Sequence, residues 1–195
     1  PVYDEGRTGN AVRLGDYGLK LNLNDLGTEY TVSMWVKSDE PLAGNQVMLF
    51  MGYHNPEKWI AISGDSGDRL KFWANGVIGQ WVTLANPVVP SEQWHQITVT
   101  GTAGETTLYL DGITMGTSDS NDPLEGENAD IYLGVNFWDP EYEGLIDDVK
   151  VYNIAMSEAE VQAQAEDEFA ESLQTKLDAA VESCLLYTSD AADEE

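Results

Sequence analysis

Between Val12 and Tyr152 the chain is a succession of short apolar or alternating runs, each ended by Gly, Asn, Asp or Pro. Ala11–Leu14, Leu19–Leu23, Tyr30–Lys37, Val47–Gly52, Trp59–Ser63, Leu70–Ala74, Trp81–Leu84, Trp94–Thr100, Thr106–Leu110, Ile131–Val135 and Leu145–Tyr152 are the strands this pattern predicts. They are rich in β-branched and aromatic residues, which suit a pleated, half-buried surface. No long helical pattern separates the runs, which excludes a parallel βαβ sheet and points to a sandwich or barrel. The turns agree. Asp111-Gly112 stands between Thr106–Leu110 and Ile113–Met115, a two-residue hairpin signal because both positions tolerate positive φ. Asn75-Gly76 and the GDSGD stretch Gly64–Asp68 give the same signal, and Asn121–Asp130 is a polar surface loop.

After Tyr152 the period changes. Ser157 and Glu160 form a capping box, with Met156 set to staple against Val161, so a helix begins at Ser157. Val161, Ala165, Phe169, Leu173, Leu177 and Val181 recur at every fourth position. That spacing drifts around a straight helix by roughly 40° per step, so no fixed apolar stripe is expected. We read 157–183 as a helical linker toward a further module; a helix folded back on the sandwich is the alternative. Residues 184–195 carry CLLYTSDAADE, the peptide a transposase-type sequencing adapter encodes when translated. They are expected to be an adapter-derived, disordered tail of a metagenomic fragment. Residues 1–156 then form the single folded module.

The 195 residues suffice for one domain with a substantial core, and 42% hydrophobic content with six Trp, nine Tyr and four Phe supports a folded chain. A net charge of −26 repels phosphate backbones and anionic lipid, so neither nucleic acid nor a membrane is an expected partner. No apolar run reaches the length of a membrane span. Cys184 is the sole cysteine, so no internal disulfide forms.

Five segments fall in a recognisable order. They are Gly9-Asn10-Ala11-Val12-Arg13-Leu14, Tyr30-Thr31-Val32-Ser33-Met34-Trp35-Val36-Lys37, Trp94-His95-Gln96-Ile97-Thr98-Val99, Leu108-Tyr109-Leu110-Asp111-Gly112, and Gly144-Leu145-Ile146-Asp147-Asp148-Val149-Lys150-Val151-Tyr152-Asn153. Together they resemble the laminin-G-like (LamG), concanavalin A-like modules of bacterial carbohydrate-active and surface proteins. The resemblance implies an all-β, two-sheet antiparallel jelly-roll sandwich with a C-terminal helix. Trp59–Ser63, Phe72-Trp73, Gln80-Trp81 and Leu133–Asp139 further resemble modules appended to arabinan-degrading enzymes of glycoside hydrolase family 43. That implies an extracellular or cell-surface setting, an oligosaccharide or polysaccharide partner and a covalently linked catalytic domain. It also implies an opening strand lying before Pro1.

Catalysis by the module itself is not expected. His95 follows Trp94 in a predicted strand, and His54 has no Cys or second His nearby to complete a nucleophilic dyad. No metalloprotease, nucleophile-elbow or phosphate-loop motif occurs, and carboxylates are too abundant for a pair to carry information. Sugar binding is the sharper expectation, because sugar C–H faces stack on indoles while amides and carboxylates read hydroxyls. Trp35 and Trp94 fall in the sandwich strands. Trp59, Trp73, Trp81 and Trp138 lie near strand ends beside Asn75, Gln80, Asn136 and Asp139, and form the candidate platform unless they cover the core. The resemblance also implies a structural Ca2+ held first by Asp147 and then by Asp148; the alternative is that these acids solubilise an edge strand. Asp65 and Asp68 are weaker calcium candidates. A surface-adhesion or protein-interaction module, or a passive spacer, are the competing functions.

Overall fold

The computed structural model describes residues 1–21, 26–53, 58–74, 81–119 and 130–190, with side chains except at 53, 58, 172, 176 and 179–190. The Asn75-Gly76 turn, His54, Gln80 and nearly all of the Asn121–Asp130 loop lie outside the described residues. The strands are β1 (Val2–Glu5), β2 (Asn10–Leu14), β3 (Leu19–Leu21), β4 (Tyr30–Ser38), β5 (Val47–Tyr53), β6 (Lys58–Asp65) and β7 (Arg69–Ala74). They continue as β8 (Trp81–Val82), β9 (His95–Thr102), β10 (Glu105–Leu110), β11 (Ile113–Ser118), β12 (Asp130–Leu133) and β13 (Gly144–Tyr152), followed by helix α1 (Glu158–Asp190).

These strands make two antiparallel sheets, one ordered β1-β2-β13-β4-β9-β10-β11 and the other β3-β12-β5-β6-β7-β8. This is the jelly-roll sandwich, and every strand predicted from the sequence is present. β1 was not foreseen: all four of its residues are exposed at the sheet edge, so no apolar alternation announces it. The core fills the space between the sheets. Alternation along β4 sends Tyr30, Val32, Met34 and Val36 inward against Leu49, Ile60, Ile62 and Phe72 of the other sheet. Burial pushes the Tyr30 phenol well above the ordinary range. Asp111-Gly112 joins β10 to β11 with Leu110 opposite Ile113 and φ of 50° and 79°, the two-residue turn the sequence signalled.

The outward positions of β4 and β9 meet α1. Ser157 N donates to Glu160 Oε2 (2.8 Å) and Glu160 N to Ser157 Oγ (3.4 Å), completing the expected capping box. Val161, Ala165 and Glu168 are buried against the seven-stranded sheet, so the helix's first turns pack back on the sandwich, the alternative arrangement. Farther along, Leu173 and Leu177 are exposed, and the helix backbone continues to Asp190, into the segment expected to be disordered. Trp35, outward on β4, is fully buried beneath this helix. Its Nε1 donates to Glu168 Oε2, its ring meets Phe169 edge-on at 4.6 Å, and the Arg7 guanidinium lies 4.5 Å from its centroid. Gly112 is needed at its turn twice over: φ is +79°, and a Cβ there would stand 3.0 Å from Ala165 Cβ of the helix.

Candidate functional site: an aromatic groove on the six-stranded sheet

The outer face of the six-stranded sheet carries no helix. Its register places one residue of each strand in a row: Lys20 on β3, Tyr132 on β12, Phe50 on β5, Ala61 on β6, Trp73 on β7 and Trp81 on β8. Neighbouring strands lie roughly 4.8 Å apart, so this is a continuous band of side chains with one small member in its middle. Ala61 is the gap. On one side of it Trp59 and Trp138 pack edge to face with centroids 5.2 Å apart, and on the other Trp73 and Trp81 do so at 4.9 Å. The two indole pairs are the walls of a groove of about 170 Å³.

Trp138 reaches the groove from the loop after β12. That loop is pinned to β5, since Gly134 N donates to Met48 O and Val47 N to Pro140 O. Within it Asn136 Oδ1 accepts Trp138 N (3.1 Å) and Asp139 N (2.8 Å), while Asn136 Nδ2 donates to Asp139 Oδ2 (2.8 Å). Phe50 is an outward residue that is nonetheless fully buried, because Phe137, Trp138, Trp59 and Tyr132 close over it. The groove therefore rests on its own small apolar cluster, separate from the inter-sheet core. About half the surface of Trp81 and of Trp138 stays exposed.

Of the residues singled out from the sequence, Trp59, Trp73, Trp81, Asn136, Trp138 and Asp139 line this one groove, while Asn75 and Gln80 lie outside the described residues. Asn45, Ala61 and Ser63 line it as well and were missed, since a small or polar residue in a strand gives no signal until the register is known. Asn136 and Asp139 differ in detail from the expectation. The Asn136 side chain bonds to the Asp139 carboxylate and to the loop backbone, so it holds Trp138 in place, and the pair keeps one Asn136 Nδ2 hydrogen and the remaining carboxylate lone pairs for a ligand. Trp73 Nε1 is buried with no hydrogen-bond partner among the described residues.

A family model described as the concanavalin A-like lectin/glucanases superfamily matches residues 7–162. The chain belongs to this superfamily. A comparison with curated protein sequences found no significant match. Among solved structures the chain is similar to domain 4 of AbnA, a GH43 extracellular arabinanase from Geobacillus stearothermophilus, in complex with arabinotriose. Identity is 29%, the TM-score is 0.67, and the match covers 84% of this chain and 80% of that one. An SAP-like pentraxin from Limulus polyphemus matches at 14% identity and a TM-score of 0.55, over 71% of this chain and 70% of that one. A sialidase from Trypanosoma rangeli matches at 13% and 0.63, over 84% of this chain but 28% of that one. The last two show the shared fold alone.

The acids for which the superfamily resemblance implied calcium lie elsewhere, on β13 next to α1. A bulge between Asp147 and Lys150, with Asp148 at φ 45°, turns both acids toward the Gly6–Asn10 segment. There Asp147 Oδ2 accepts Arg7 N (2.8 Å), Asp147 Oδ1 accepts Asp148 N (2.9 Å), and Asp148 Oδ2 accepts Arg7 Nη2 (2.6 Å). Gly6 permits this approach, for a Cβ would fall 2.5 Å from Asp147 Oδ2. Burial pushes the Asp147 carboxyl above its ordinary range, against the pull of its backbone N–H donors. A calcium ion needs six to eight oxygens, whereas these carboxylates face N–H donors and a guanidinium. Among the described residues no group of three or more His, Cys, Asp or Glu is placed to hold a metal. As arranged, both carboxylates are engaged by Arg7 and by backbone N–H donors. Asp65 and Asp68 serve the β6–β7 turn, where Asp65 Oδ1 accepts Ser66 N and Asp68 Oδ1 accepts Leu42 N. His95 Nδ1 bonds Asp111 Oδ2 at 2.8 Å beside the β10–β11 turn, far in sequence from the groove residues.

Proposed function

We propose that the chain is a non-catalytic carbohydrate-binding module, an accessory to a secreted polysaccharide-degrading enzyme that it holds near its substrate. The observation that carries this is the pair of indole pairs facing each other across Ala61, with Trp81 and Trp138 half exposed and Asn45, Ser63, Asn136 and Asp139 at the rim. Such a slot presents apolar faces for sugar rings and polar edges for hydroxyls while excluding bulky ligands. The likeness to an arabinanase domain in complex with arabinotriose supports an oligosaccharide, with arabino-oligosaccharides as the first probe. A single carboxylate, Asp139, stands among the described groove residues, and glycoside hydrolysis ordinarily requires two. Tethering by such a module raises the local substrate concentration for a linked hydrolase with no chemistry of its own.

The test is retention in affinity gels containing arabinan, with calorimetry on arabinotriose. Trp138→Ala and Trp73→Ala should each weaken binding by about tenfold, the upper range of one aromatic contact. Native-like melting of Trp138→Ala, whose side chain is half exposed, separates lost binding from lost fold. Unchanged retention in both variants refutes the reading and returns the module to adhesion or a spacer role.

A further inference from the structure

Next to the aromatic groove lies a second one, of about 280 Å³, and its electrostatics differ from the rest of the molecule. It opens where the edge strand leaves its neighbour. β8 pairs with β7 at Trp73↔Trp81 and Phe72↔Val82 only, and the chain returns to β7 at the Arg69↔Val88 bridge and the Leu70 N to Pro87 O bond. Between those points only Lys71 of β7 has no strand pairing on this side among the described residues. Leu70, Phe72, Val82 and Leu84 are its apolar lining, and Arg69 and Lys71 stand over it on the same strand face as Trp73. Trp81 lines both grooves.

Two cations against one carboxylate, Asp65, line this groove in a chain of net charge −26. Lys71 is engaged: its Nζ bonds Asn45 Oδ1 (3.0 Å), pairs with Asp65 (3.2 Å) and lies 5.5 Å from the Trp81 centroid. Asp65 is thus paired by Lys71 and also feels Arg69, its cross-strand neighbour, and the two cations leave the groove with a net positive charge. The Arg69 side chain is exposed and makes no hydrogen bond or ion pair with any described residue, although acids outnumber bases 35 to nine. A planar guanidinium left unpaired at a groove mouth matches a carboxylate in two-point geometry.

Resting on the carbohydrate reading above, we propose that this groove takes the carboxylate of a uronic-acid residue, in an oligosaccharide whose neutral part stacks between the indole pairs. Along β7 the step from Trp73 to Arg69 is four residues, about 13 Å. The ligand must therefore be an oligosaccharide crossing Trp81, not a single sugar. Arg69 binds the carboxylate, Lys71 and Trp81 set the crossing point, and the module discriminates acidic from neutral glycans.

The experiment is calorimetry with three oligosaccharides matched in length, one neutral, one bearing a terminal uronate and one bearing a sulfate ester. They are titrated into the native chain, Arg69→Gln and Trp138→Ala. The native chain should prefer the uronate-bearing ligand by about fivefold at low salt, the gain of one partly exposed charged bond, and less at high salt. Arg69→Gln should remove that preference and leave affinity for the neutral ligand unchanged, while Trp138→Ala weakens all ligands together. Neutral binding without preference, or a preference that survives Arg69→Gln, overturns the proposal alone. Stronger binding of the sulfate ester overturns the carboxylate assignment. Failure of all three ligands overturns the carbohydrate reading and this proposal with it.

Discussion

Glu168→Ala tests whether the helix belongs to the folded module. Glu168 is buried on α1 and accepts from Trp35 Nε1, from Gln96 Nε2 (3.0 Å), from Lys150 Nζ (2.6 Å) and from Gln164 Nε2 (2.8 Å). Truncation lets Lys150, whose side chain is about a third exposed, turn to water. Trp35 and Gln96 have no such escape, being 0% and 1% exposed. Two buried donors without acceptors cost about 1–3 kcal/mol each, so a loss of about 3–4 kcal/mol is expected. For a domain of this size that lowers Tm by roughly 6–16 °C. Glu168→Gln separates charge from shape. Burial acts to raise the Glu168 carboxyl, but bonds from Lys150, Trp35 and Gln164 outweigh it and hold it below the ordinary glutamate range. The ionised form is thus favoured by folding, and its contribution is present above the unfolded pKa and lost as pH falls through the lower folded value. Asp147, pushed up by burial, acts in the opposite sense, and is common to both proteins being compared. The Tm gap between native and Glu168→Gln, followed by calorimetry from pH 7 to pH 3, should therefore close in acid. A Tm within about 2 °C of native for Glu168→Ala at pH 7, or a gap to Glu168→Gln that does not change with pH, refutes the latch and makes 157–183 an independent linker.

Ala61→Leu should fill the groove floor from within: we expect arabinotriose binding to vanish in calorimetry while Tm moves by no more than about 3 °C, since the added atoms point outward. Gly112→Ala strains a φ of +79° and drives Cβ toward Ala165, so Tm should drop by roughly 3–8 °C; an unchanged Tm would mean the helix is not seated on that turn. Millimolar calcium, compared with a chelator, should shift Tm by less than about 1 °C, because Arg7 engages both acids, its backbone N–H at Asp147 and its guanidinium at Asp148; a larger rise would show that the cation displaces it.

Periodicity and turn chemistry were enough to foresee an antiparallel sandwich or barrel, because each strand buries one face and alternation records that burial directly; the resemblance to laminin-G-like modules chose the sandwich. β1 escaped because neither of its faces is buried, and the fate of α1 escaped because its every-fourth pattern drifts around the axis. What seats the helix is a glutamate among glutamates: nothing in AEDEFAE marks Glu168 as the one beneath which an indole N–H and an amide lie. The four groove tryptophans were legible as residues beside polar neighbours, but their arrangement was not. It depends on Ala61 sitting opposite Trp73 in the register, and a one-residue slip of β6 would turn Trp59 and Ala61 into the core.

The two sheets have the same problem and solve it differently. Each has an outer face bearing large aromatics: Trp35 on one, and Trp59, Trp73 and Phe50 on the other. On the seven-stranded sheet the aromatic is sealed, with α1 supplying an acceptor to its indole N–H and Phe169 to its ring. On the six-stranded sheet a short loop covers Phe50 and packs on Trp59 and Tyr132, leaving Trp81 and Trp138 half exposed and the Trp73 N–H unpartnered among the described residues. Leaving apolar surface and a buried donor in this state costs free energy that closure would recover. The helix that removes the cost from one face shows that the fold can do so. The face left open is therefore the one on which a stacking, hydrogen-bonding ligand gains most, which is why the functional reading rests there and not on the better-ordered network around Glu168.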